Sequence, residues 1–193
     1  MRFARLVLRL FGWRVVDNLP PGNKYILVGA WHTSNWDFPL AIFAMWGLGV
    51  KLHFIGKQEL ISGRLGFLMK RLGVIGVDRS KTVNFVQKMA ELFKERDELR
   101  LVLAAEGTRS QAEYWKTGFY YMALAAQVPI AFGFIDARAK EVGIDGYFMP
   151  TGNRDEDLHK VKLFFESKQG LKPHKQGSIK FKVLEPAPEE VPD

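Results

Sequence analysis

The chain contains no cysteine, which excludes a disulfide framework, a thiolate metal site and a cysteine nucleophile. That composition fits a reducing compartment. Long apolar runs are also missing: beyond the amino-terminal segment the longest extends only from Phe38 to Val50, short of the ~20 residues needed to cross a bilayer. Histidines number four, and His53, His159 and His174 have no mutual spacing that suggests a metal site, so no metal is expected. There is no G-x-S-x-G elbow, and the Gly63 to Gly66 region lacks the lysine and spacing of a phosphate-binding loop. What these exclusions leave is a 193-residue chain, 47% hydrophobic and 25% charged, of a size that encloses a core as one domain without staples.

Acidic residues are the scarcer charge, 21 against 28 Lys and Arg, for a net +7. An excess of this kind favours an anionic partner: nucleic acid, an acidic carrier protein or a membrane surface. Arginines and aromatics line no recognisable RNA or DNA module, so no nucleic-acid partner is expected. Residues 1–20 form a basic amphipathic segment, with Arg2, Arg5, Arg9 and Arg14 beside Phe3, Leu6, Val7, Leu10 and Phe11 at helical spacing. Such a helix lies flat on an anionic lipid surface, although a core-packing helix with solvated arginines carries the same pattern. The arginines interrupt any apolar core and no small-residue cleavage site follows, which argues against a signal peptide. The expectation is a cytoplasmic protein, peripheral on the inner membrane surface.

Along the remainder, Tyr25 to Ala30, Leu52 to Gly56, Val74 to Val77, Leu99 to Ala105 and Val128 to Ile135 read as buried strands, and Gly143 to Met149 as a further one. Between them the apolar spacing predicts helices from Asp37 to about Gly47, Glu59 to Leu72, Ser80 to Arg96, Phe119 to Gln127 and Asp155 to Gln169. Asp37 and Ser80 are the expected caps. Ile179, Phe181 and Val183 alternate with Lys180 and Lys182 like an edge strand, and residues 185–193, rich in proline and acid, read as a disordered tail. Alternating strands and helices imply an α/β fold, with a largely parallel central sheet, helices on both faces and a single domain over residues 21–184. Functional groups then gather beyond the carboxyl ends of the strands.

At one such end stands Trp31-His32-Thr33-Ser34-Asn35-Trp36-Asp37. Neutral His32 can take a proton from a hydroxyl, and the Asp37 carboxylate can hold the ring in the right tautomer. On a regular helix positions five apart diverge by about 140°, so the two meet only if the chain turns between strand and helix. Gly76-Val77-Asp78-Arg79 and Glu106-Gly107-Thr108-Arg109-Ser110 lie at two other strand ends. Arg79 and Arg109 are always-charged forks suited to a phosphate, and Gly107 lets backbone amides approach a ligand. Ser34 raises a rival, an acyl hydrolase with an acyl-enzyme intermediate.

Taken in order, the three segments resemble the signature blocks of the glycerolipid acyltransferase superfamily, best known from the lysophosphatidic acid acyltransferases: an H-x4-D block, a block ending in Asp-Arg, and an E-G-T-R-S block. The resemblance covers roughly residues 25 to 136. It implies an enzyme of lipid metabolism and phospholipid biosynthesis, similar to the 1-acylglycerol-3-phosphate O-acyltransferases, moving a fatty acyl chain from an acyl thioester to a lysophospholipid-like acceptor. His32 would be the general base oriented by Asp37, and Arg79, Glu106, Gly107, Thr108 and Arg109 the substrate-binding residues. It implies acyl-CoA or an acyl carrier protein as co-substrate and no cofactor. Two departures leave the acceptor open: Ala104-Ala105 stands where Phe-Pro is usual, and Val128-Pro129-Ile130 runs into Ala131-Phe132-Gly133-Phe134 where a second proline is expected. A noncatalytic membrane- or lipid-binding protein remains the alternative from another class.

Overall fold

The apolar run that ends beside His32 is covered on both sides because it lies at the middle of the sheet. The computed structural model describes residues 1–77, 85–107 and 112–182. Its elements are α1 (Arg2–Leu10), β1 (Arg14–Asn18), β2 (Lys24–Ala30), α2 (Asp37–Leu48), β3 (His53–Lys57), α3 (Gln58–Ser62), α4 (Gly66–Arg71), β4 (Val74–Val77), α5 (Phe85–Glu95), β5 (Leu99–Ala104), α6 (Gly118–Ala126), β6 (Ile130–Asp136), β7 (Glu141–Phe148) and α7 (Arg154–Glu166). The strands form one seven-stranded sheet in the order β1-β7-β6-β2-β5-β3-β4. All neighbours are parallel except β6 and β7, which form an antiparallel hairpin. The fold is thus α/β with a mostly parallel sheet.

Alternation along β2 divides the core. Tyr25 and Leu27 face α2 and pack with Leu48, Leu52, Ala131 and Ile144, while Ile26 and Val28 face α5, α6 and α7 with Met89, Phe93, Phe119 and Phe165. Full burial of each such side chain contributes roughly 1.5–3 kcal/mol relative to exposure. The steps β2 to β3 and β3 to β4 run the same way along the sheet, so right-handed crossovers place α2, α3 and α4 on one face. The packing agrees: Phe54 lies in the α2-side cluster, Gly56 follows two residues later, and its register partner Gly76 is covered by Ile61 of α3.

Three expectations need correction, and one strand has no counterpart in the sequence reading. The helix predicted from Glu59 to Leu72 is broken, because the Ile61 carbonyl stands 2.1 Å from where a Cβ on Gly66 would lie. Only a glycine fits there, and the chain turns between α3 and α4. Arg14–Asn18 is a strand although its short, mixed-polarity sequence hides it; it pairs with β7 from Arg14↔Glu141 to Asn18↔Asp145. The alternating segment from Ile179 makes one isolated bridge, Trp115↔Phe181, instead of an edge strand. There Ile179 is buried in the core while the Lys180 carbonyl accepts the Trp115 N–H at 2.8 Å. Finally, Asp37 is the first residue of its helix and does not cap it; Trp36 occupies the cap position. The expected cap Ser80, Val183 and residues 185–193 lie outside the described residues.

In α1, Ala4 and Leu8 are buried, whereas Phe3, Leu6, Leu10 and Phe11 are each more than half exposed. Arg5 is committed to the fold, its Nε donating to the Gly47 carbonyl at 2.8 Å and its Nη2 pairing with Asp17 at 2.7 Å. Among the described residues no helix is long and apolar enough to cross a membrane.

Candidate active site

Strand β2 pairs with β5 on one side and β6 on the other, and the register Gly29↔Ala104 carries both chains past the sheet together. Two residues beyond that pair, Trp31 and Glu106 lie in the segments where the strands give way to loops. The Trp31 indole donates to the carbonyls of Phe165 at 3.2 Å and Lys168 at 3.1 Å, and its ring meets Trp115 edge-on at 5.2 Å. Thr33 Oγ1 accepts the Lys172 N–H at 3.0 Å. Contacts from both α7 and the segment after it thus hold the loop that carries His32.

Asp37 is buried and works backwards along the chain. Its Oδ2 accepts the N–H groups of Thr33 and Ser34, both at 2.7 Å, which bends residues 33–36 into a turn. Its Oδ1 is buried and has no hydrogen-bond partner among the described residues. Burial raises the Asp37 pKa above the usual carboxylate value, against the lowering effect of the two N–H groups and the nearby His32 ring.

His32 is held from the other side of the loop. Its N–H donates to Glu106 Oε2 at 2.8 Å, and its Nδ1 lies 3.4 Å from the same oxygen without hydrogen-bond geometry. The Glu106 carboxylate is buried, whereas the His32 side chain is 40% exposed. Nδ1 is enclosed, so the exposed part of the ring lies away from that nitrogen. The structure therefore sets Glu106 against His32 and Asp37 against the loop amides, leaving Nδ1 and Oδ1 enclosed and without a hydrogen-bond partner among the described residues.

Beyond this point an apolar groove of ≈ 660 Å³ lies between α2 and the sheet. His32, Gly107 and Lys116 line it at the carboxyl ends of the strands, and Met45, Leu48, Leu52 and Phe54 line it towards the other end of α2. A helix of 12 residues gives the groove a roof about 18 Å long. An extended hydrocarbon suits a slot of this shape, and the half-exposed imidazole stands at its polar end.

The sequence model of the acyltransferase family matches residues 13–131, from the start of the sheet to β6 and through both His32 and Glu106. The chain belongs to the acyltransferase family. A solved structure, the 1-acyl-sn-glycerophosphate (LPA) acyltransferase PlsC from Thermotoga maritima, is similar in fold, with a TM-score of 0.55 and 20% identity over 83% of this chain and 72% of that one. No curated protein matches this chain.

Of the residues singled out in the acyltransferase sequence, His32, Asp37, Glu106 and Gly107 come together. Arg79, Thr108 and Arg109 lie outside the described residues. Ser34 Oγ accepts the Trp36 N–H at 3.2 Å, so its hydroxyl supports the turn. His53 is buried, with Nδ1 accepting the Arg100 N–H at 3.4 Å; burial and then the charges of Lys51 and Arg96 lower its pKa. His159 and His174 are exposed. Sequence reasoning missed Lys116, whose Cε and Nζ lie 2.6 and 2.9 Å from the position a Cβ on Gly107 would take. The absent side chain at Gly107 makes room for this cation, a pairing nine residues apart that no spacing rule singles out.

Proposed function

We propose that this acyltransferase moves a fatty acyl chain from acyl-CoA or an acyl carrier protein to the hydroxyl of a lysophospholipid-like acceptor. The observation that carries the proposal is the half-exposed imidazole of His32 at the polar end of an apolar groove long enough for an acyl chain. In this reading the acyl chain lies under α2 with its thioester carbonyl beside His32. Nε2 accepts the acceptor's hydroxyl proton as the oxygen attacks the carbonyl carbon. The tetrahedral oxyanion then collapses, the carbon–sulfur bond breaks, and the thiolate leaves and recovers the proton from the imidazolium. A positioned base of this kind contributes roughly 10²–10⁴-fold, with the remainder from holding both substrates together.

For Nε2 to act as a base the ring proton must sit on Nδ1. The buried Glu106 carboxylate lies on that side, 3.4 Å from Nδ1, and the Asp37 carboxylate is close enough for the two charges to influence each other; in this reading both offset the charge that develops on the ring during transfer. Arg79, Arg109 and Lys116 supply positive charge for the acceptor's phosphate, with Glu106, Gly107 and Thr108 shaping that subsite. The exposed apolar side of α1 with Arg2 and Arg9 favours peripheral docking on the anionic inner membrane surface, where such acceptors reside.

The test is consumption of an acyl thioester with a panel of lysolipids by the wild type and His32→Ala. The variant should retain its fold and its vesicle binding and lose transfer; retained turnover would refute the assignment. Thioester loss without any acceptor, with release of free fatty acid, would identify the Ser34 hydrolase instead. Lipid binding with no thioester consumed by the wild type would identify a noncatalytic binding protein.

A further inference from the structure

From Gln58 to Val77 the only acidic residue is Glu59, while Arg64, Lys70 and Arg71 supply positive charge. Apolar residues of this stretch should face the core if it were one continuous helix. The break between α3 and α4 turns them outward: Leu65 is 62%, Phe67 72%, Leu68 37% and Leu72 46% exposed, and all three cations are exposed as well. None of the four apolar side chains joins a core cluster among the described residues. Four large apolar groups left in water within eight positions mark a surface that meets a partner.

The arrangement identifies the partner's chemistry. At 100° per residue, Arg71 of α4 projects between Phe67 and Leu68, and the exposed Arg64, Leu65 and Leu72 flank the two ends of the helix. Apolar side chains bracketing long cationic ones suit a lipid interface, where rings and aliphatic groups enter the acyl boundary and guanidinium groups reach the phosphates. α4 also shares a sheet face with α1 and α2, and α2 roofs the groove. α1 exposes Phe3, Leu6, Leu10 and Phe11 on that side, and Trp36 and Phe38 at the start of α2 are 71% and 62% exposed.

We propose that α4 with its flanking residues Arg64, Leu65 and Leu72 is a second membrane-contacting surface, docking on an anionic bilayer so that α2 and the groove beneath it lie between two lipid-bound elements. This rests on the reading of the groove as a site for lipid substrates. Lipid would then pass from the bilayer to His32 without crossing bulk water.

The absence of cysteine makes the proposal directly testable by site-specific labelling. Single variants Phe67→Cys, Leu10→Cys and, on the opposite sheet face, the exposed Leu163→Cys would carry an environment-sensitive fluorophore. Each would be mixed with vesicles of phosphatidylglycerol and phosphatidylcholine, with and without brominated lipid. The expected result is a blue shift and bromine quenching at positions 67 and 10 and none at 163. In the unlabelled protein, replacing Arg64, Lys70 and Arg71 together with Gln should weaken vesicle binding about a hundredfold while leaving the melting temperature unchanged. A probe at 67 that stays in water while that at 10 inserts would overturn the proposal and leave docking through α1 intact. Failure of both to insert would overturn it together with the membrane part of the proposed function, a result separate from the thioester assay. A shift at 67 on adding an acidic acyl carrier protein, with none on adding vesicles, would overturn it by reassigning the surface to a protein.

Discussion

His32 and Glu106, 74 positions apart in the chain, are joined by a hydrogen bond from the His32 N–H to Glu106 Oε2 at 2.8 Å. The two residues follow neighbouring parallel strands, so sheet register, with no local turn, brings them together. A buried carboxylate that also lies 3.4 Å from the ring nitrogen holds the loop and sets the charge around the imidazole.

These two effects separate by substitution. Glu106→Gln retains an oxygen for the His32 N–H but loses the charge, so stability should change little while kcat falls about tenfold or more, because a carboxylate 3.4 Å from Nδ1 no longer offsets the charge that develops on the ring. Glu106→Ala also strands a buried N–H, adding about 1–3 kcal/mol of destabilisation. Steady-state kinetics and urea unfolding on the same preparations test the split. Equal kcat for the Glu106→Gln variant and the wild type would assign Glu106 to scaffolding alone.

Asp37 gives a prediction in pH. Burial raises its folded pKa above the ordinary 3.8, so between the unfolded and folded values the native state binds more protons than the unfolded chain. Stability contributed by this group is therefore greatest at low pH and falls as pH rises from about 3.8 through the raised pKa. Asp37→Asn keeps an acceptor for the Thr33 and Ser34 amides and cannot ionise. Its urea midpoint should gain on that of the wild type as pH rises through this window, while transfer activity is lost. A difference in midpoint that does not vary with pH would contradict the account.

Gly107 adopts φ +65° beneath the Lys116 side chain. Gly107→Ala should cost about 1 kcal/mol from the left-handed backbone and displace Lys116, because the new methyl group takes the space of its Cε. The KM for a phosphate-bearing acceptor should rise. Lys116→Met should produce the same KM change without the stability loss, and an unchanged KM in both variants would remove Lys116 from the acceptor subsite.

The sheet was legible in the sequence where strands are apolar throughout, as in Tyr25 to Ala30, because burial on both faces leaves no room for polar residues. It was hidden at β1, whose strand character comes from pairing with Glu141 to Asp145 and not from its own pattern. Helical spacing is blind to a break at the glycines between α3 and α4, since Leu65, Leu68 and Leu72 continue the apolar period across it. At the site, motif order placed His32, Asp37 and Glu106 together. Which carboxylate touches which group was beyond it: that depends on how the turn after Trp31 folds, and Asp37 commits Oδ2 to two loop amides.

The groove allows a last prediction, about the donor. Leu48 and Leu52 line it at the end of α2 remote from His32, so the terminal carbons of a long acyl chain would rest against them. Leu48→Trp fills that end while leaving the residues around His32 untouched. Each methylene kept out of the groove forfeits about 0.8 kcal/mol, so kcat/KM for long-chain thioesters should fall at least tenfold while medium-chain donors react as before. Leu48→Ala should do the reverse, extending the preference towards longer chains at a folding cost of about 2–5 kcal/mol for the cavity. Competition between donors of two lengths, read as the ratio of ester products, separates this from a general loss of activity. If both variants slowed all donors by one factor, the acyl chain would have to lie elsewhere than under α2.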